Sequence, residues 1–220
     1  MGRGVFAGCV VGIIALGILQ SATHLLAVLV YDHINSIVDL DRSNSLPDVL
    51  STTALAAATL AAAVLAREGP DGRSVFVAML TVALGLLTLA DLGHHGPHPA
   101  SSVGWVVIAT VVGTGALLAG VAASTDTRPR ATLAVAGCLL LGSFFVNSLD
   151  RLDAERFERE RGDPIAERQI AAKEGLELVG WSLVALALWD EASRRRSRSR
   201  RAPATARASR ARAASRRRAA

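Results

Sequence analysis

Six long stretches of the chain are almost purely apolar, and short polar segments separate them. They cover residues 5–31, 49–66, 75–91, 103–123, 131–149 and 174–189. A hydrocarbon core of about 30 Å needs about 20 helical residues to cross it, with about 17 as a working minimum. The second, third and sixth runs sit near that minimum and the first exceeds it. Helix is the open-chain solution in lipid, because each backbone polar group must find its partner within the segment. No run alternates with period two, which excludes an outer-membrane barrel. The pattern therefore predicts an all-α integral membrane protein, a six-transmembrane-helix bundle occupying residues 1–192.

The polar segments add two further elements. Residues 150–161 place Glu155 and Arg156 four positions before Arg159 and Glu160, spacing that supports a solvated helix. Gly162 is a stop, Asp163 an N-cap and Pro164 a first-turn residue of the next helix, which can run on into the sixth span. The segment 150–173 thus reads as a charged helical hairpin outside the bilayer. Residues 193–220 contain only Arg, Ala, Ser, Pro and Thr. Nothing there builds a core, so the expectation is a disordered tail.

Composition sharpens the picture. Of 220 residues 51% are apolar and 20% charged, and the mean hydropathy of +0.37 is out of place in an ordinary soluble domain. Twelve of the 24 basic residues lie between Arg194 and Arg218, so an acidic apolar body carries a cationic tail. The segments 67–73 and 126–130 hold two Arg each, 31–48 holds one basic residue against four acids, and 91–102 holds none. The positive-inside rule then places both termini in the cytoplasm of a bacterial cell and the hairpin outside. Met1-Gly2-Arg3 could begin a signal peptide, but the apolar run outlasts any h-region, so the first span reads as retained.

Small residues recur every four positions at Gly4, Gly8 and Gly12, again at Gly17 and Ser21, and at Gly113, Ala116 and Gly120. Such faces let helices approach closely in lipid, within one bundle or between copies of it. Cys9 and Cys138 read as small buried hydrophobes rather than redox groups.

Ionisable residues gather towards the outer ends of the spans. His24 lies inside the first and needs a polar partner, with Ser21, Glu174 and Glu177 as candidates; His24 and Glu177 could belong to a proton or polar network. His33, Asp91, His94, His95, Asp150 and Glu174 could ligate a divalent metal such as zinc, although no cofactor is expected. No diagnostic catalytic motif is present. The expected function is a non-enzymatic assembly or partner-binding membrane component. The alternatives are a metal-dependent membrane hydrolase and a proton-coupled transporter built on that outer cluster. Expected partners are the bilayer itself, anionic headgroups for the Arg-rich tail, and a second copy or an extracytoplasmic protein. Nucleic acid is not expected, since no aromatic residues interleave with the arginines.

Overall fold

The computed structural model describes residues 1–29, 46–67, 74–94, 103–156 and 164–219. Six helices account for nearly all of them: α1 (Arg3–Leu29), α2 (Leu46–Ala66), α3 (Ser74–His94), α4 (Val103–Ala123), α5 (Thr127–Arg156) and α6 (Pro164–Ala219). No strand occurs among the described residues. Proline sits in the first turn of α2, α5 and α6 (Pro47, Pro129, Pro164), where its missing N–H costs no intrahelical bond. Among the described residues, three stretches are long and apolar enough to cross a membrane: Arg3–Val28, Asp48–Ala66 and Thr127–Val146. Shorter apolar stretches run through Val75–Thr88 and Val111–Ala123. The expected sixth span is not among them, because Lys173, Glu174 and Glu177 interrupt α6 at one end and Asp190 and Glu191 at the other.

The helices pack as a ring with one outlier. α2 lies against α3 and α6, α3 against α4, α4 against α5, and α5 against α6, so α2 to α6 close on themselves. Consecutive helices from α3 to α6 run antiparallel: Gly113 faces Leu87 and Phe144 while Gly120 faces Leu80 and Leu133, and Gly142 and Gly180 face Leu176 and Leu140 in the same inverse order. A hydroxyl pair, Thr59 with Thr88 at 3.0 Å, ties α2 to α3. The core draws on all five ring helices, through Leu55, Leu80, Leu117, Leu140 and Val184 among others. α1 stands outside the ring, with α6 as its principal neighbour. Only 11% of its apolar stretch is buried.

Past residue 193, where composition reads as a disordered tail, the helix α6 continues to Ala219. Alanine and arginine are among the strongest helix formers, and the first Arg residues past the boundary are held by carboxylates described below.

Candidate functional site

One seam and one ion-pair cluster are the two places where ionisable side chains gather among the described residues. The seam joins α1 to α6. Gly17 and Gly175 face each other so closely that a Cβ on Gly17 would strike the Val179 side chain, and one on Gly175 would strike the Ser21 hydroxyl. One turn further, the Ser21 hydroxyl donates to the Ala171 carbonyl at 2.9 Å. Another turn on, His24 Nε2 lies 2.8 Å from Glu167 Oε2, and both side chains are buried, at 1% and 4% exposure. Small residues on both helices bring the backbones together, and the close approach buries the polar pair. Both amide atoms of Gln20, one turn before His24, are buried without a hydrogen-bond partner.

His24 therefore does need a polar partner, but that partner is Glu167, which the sequence reading did not nominate. Ser21 bonds instead across to α6, and Glu174 pairs with Lys173 at 2.9 Å. Glu177 is half-buried on α6. Of the proposed metal ligands, His33 and His95 lie outside the described residues. Asp91, His94 and Asp150 lie on described helix backbone, but their side chains fall outside what is described. Among the described residues no three His, Cys, Asp or Glu side chains come together as a metal site.

The glycines divide into two groups. Gly113 and Gly120 pack within the ring, whereas a Cβ at Gly4, Gly8 or Gly12 would meet nothing within 4 Å. The step from Gly12 to Gly17 is five residues, which turns the helix by about 140° relative to the first stripe. The seam and the Gly4/Gly8/Gly12 stripe thus occupy opposite faces of α1.

Midway along α6 lies a cluster that the sequence reading missed. Asp190 and Glu191 are fully buried. Asp190 accepts from Arg128 Nη2 at 2.6 and 2.7 Å and from Arg128 Nε at 3.0 Å, and from Arg194 Nε at 2.9 Å. The N-terminal amine stands 3.7 Å away. Glu191 Oε1 accepts from the Thr125 amide and hydroxyl at 3.1 and 2.6 Å and from Arg195 Nε at 3.0 Å. Arg194 and Arg198 also reach Asp126, at 3.3 and 2.5 Å. Arg195 and Arg130 donate to the Ala123 and Ser124 carbonyls at 2.7 and 2.9 Å, capping the orphan acceptors at the end of α4. Arg128 stacks 4.3 Å above the Phe6 ring. The start of α1, the α4–α5 turn and α6 are thereby fastened at one level. Two i,i+4 spacings, Asp190 to Arg194 and Glu191 to Arg195, carried the signal in the sequence.

Burial alone would raise the Asp126 carboxyl, but hydrogen bonds and charge from Arg198 and Arg194 outweigh it and hold the group below its ordinary 3.8. Burial likewise opposes the Arg194 charge, and Asp190 and Asp126 more than restore it. With its carboxylates matched by guanidinium groups, the cluster is chemically a fastening.

Compared with known proteins, the chain matches no family model, no curated protein and no solved structure.

Proposed function

We propose that the chain is a six-span protein of a bacterial cytoplasmic membrane, with both termini inside, and that it works as a non-enzymatic assembly component. Its docking element is α1. One observation carries the reading: α1 has α6 as its principal neighbour and turns the opposite face, with Gly4, Gly8 and Gly12, towards empty space. Large apolar side chains flank that face, Val5 and Val11 being more than 60% exposed. A glycine stripe on an outlying helix suits the close approach of a further transmembrane helix, where packing rather than hydrophobicity drives association. The Arg-rich end of α6 adds attraction to anionic headgroups of the inner leaflet, and the hairpin over 150–173 offers a second contact outside.

The test is a photo-crosslinker at Val11 in living cells, with and without Gly8→Leu. The reading expects a discrete protein adduct that Gly8→Leu removes while the protein still inserts. Adducts to lipid alone, or one indifferent to Gly8→Leu, would overturn it.

The buried His24–Glu167 pair favours a second reading, a proton-coupled transporter, because an ionisable pair inside a membrane helix is costly without a use. That reading requires His24→Ala to abolish a pH-dependent flux in proteoliposomes while leaving the fold intact. A metal-dependent hydrolase requires stoichiometric zinc that is lost on His94→Ala and His95→Ala.

A further inference from the structure

Because α1 and α5 both pack on α6 and have no principal contact with each other, a trough remains between them. It has a volume of about 890 Å³ and is walled by α1 from Val10 to Leu25, by α5 from Ala131 to Leu139, and by α6 from Arg168 to Leu183. The lining is apolar apart from two hydroxyls and one guanidinium. Both hydroxyls are already committed, Ser21 to the Ala171 carbonyl and Thr132 to the Arg128 carbonyl. Arg168, at the end nearest His24, is exposed and has no hydrogen bond or ion pair among the described residues.

Shape and charge together select the occupant. Sixteen residues of α6 from Arg168 to Leu183 span about 22 Å at 1.5 Å per residue, a length along which an extended hydrocarbon chain can lie against the apolar lining. The one cation of that lining, Arg168, stands at the end nearest His24, which suits an amphiphile with an anionic head and an apolar tail. The volume also lies within the ~300–1,000 Å³ range of small-molecule sites.

We infer that this trough is a binding site for one anionic phospholipid, its acyl chain laid along α6 between α1 and α5 and its headgroup phosphate on Arg168. The small residues of the seam, Gly17, Ser21, Ala171 and Gly175, also line the trough, so the close α1–α6 approach gives the chain a smooth floor. Arg168 supplies charge complementarity where the trough reaches the headgroup layer, since a guanidinium matches the geometry of phosphate oxygens. The inference stands apart from partner docking at Gly4, Gly8 and Gly12, none of which lines the trough.

The test uses the full chain purified in non-ionic detergent, titrated with dioleoyl-phosphatidylglycerol or dioleoyl-phosphatidylcholine and read by native mass spectrometry. One saturable phosphatidylglycerol site is expected. Arg168→Gln should reduce its preference over phosphatidylcholine by about fivefold, the effect of one Arg near an anionic surface. Ala172→Phe and Ala22→Phe place bulk in the trough from two different helices, at exposed positions where the unfolding midpoint should stay unchanged, and each should abolish binding of both lipids. Glycerophosphoglycerol, which has the headgroup and no chain, should not compete. Equal binding of the two lipids by the native chain, binding unchanged in both Phe variants, or full competition by the chainless headgroup would each overturn the proposal. So would a protein–protein complex that Ala172→Phe dissociates.

Discussion

Replacing His24 with alanine is the sharpest test of the α1–α6 seam. The substitution removes a 2.8 Å contact between side chains at 1% and 4% exposure, and it takes from a buried Glu167 a partner that helps compensate its desolvation. Three magnitudes bear on the outcome. Stranding a buried neutral polar group costs about 1–3 kcal/mol, breaking a buried ion pair costs about 3–5 kcal/mol, and polar contacts between membrane helices couple by about 0.6 and at most about 1.7 kcal/mol. The last range governs the pair's net contribution, because in lipid the released groups find substitute partners. His24→Ala and Glu167→Ala should each cost about 2–3 kcal/mol, and the double variant should cost less than their sum by about 1 kcal/mol. Glu167→Gln separates charge from hydrogen bonding: a neutral pair tolerates it, while an ion pair loses nearly as much as with alanine. The assay is equilibrium unfolding by dodecyl sulfate in mixed micelles, followed by tryptophan fluorescence. Single variants costing under about 0.5 kcal/mol, or energies additive within about 0.5 kcal/mol, would refute the reasoning.

The glycine seam and the Asp126 ion pairs make further predictions. Gly175→Leu should destabilise the protein by about 1–3 kcal/mol through overpacking, whereas Gly8→Ala should be neutral or slightly stabilising, since Ala is the better helix former; the same unfolding assay compares them. The Asp126 carboxyl is held below 3.8 in the folded protein. A lowered carboxylate contributes stability above its unfolded pKa, and that contribution is lost as pH falls through the folded value. The contribution should therefore be constant near neutrality and disappear below about pH 4, where Asp126→Asn and the native chain converge. Its size should be about 0.5–1 kcal/mol and fall with added salt, because Arg198 is 58% exposed and such pairs are screened.

Much of the helical layout was legible in the chain. Apolar runs bounded by Gly, Pro and charge located both ends of α4 and the C-terminal end of α2, and Pro164 marked the start of α6. What periodicity does not encode is register between helices. His24 demanded a partner, but choosing Glu167 over Glu174 or Glu177 requires knowing that Gly17 meets Gly175, a tertiary fact. The stripes at Gly4/Gly8/Gly12 and Gly17/Ser21 share one spacing yet face opposite ways, and a single five-residue step separates their roles. The ion pairs at the start of the Arg-rich segment were half legible. Asp190 and Arg194, and Glu191 and Arg195, stand four apart in the chain, whereas Asp126 meets Arg194 and Arg198 from 68 and 72 positions away, a pairing invisible to a window sliding along the sequence.

That α1 leans mainly on the last helix sets an order of events during synthesis. When α1 leaves the ribosome, α6 still lies more than a hundred codons downstream, an interval on the order of ten seconds at ordinary translation rates. For that time His24 of the nascent first helix is without its α6 partner, Glu167. On the membrane reading proposed above, truncation before α6 should therefore leave that helix to quality-control proteases.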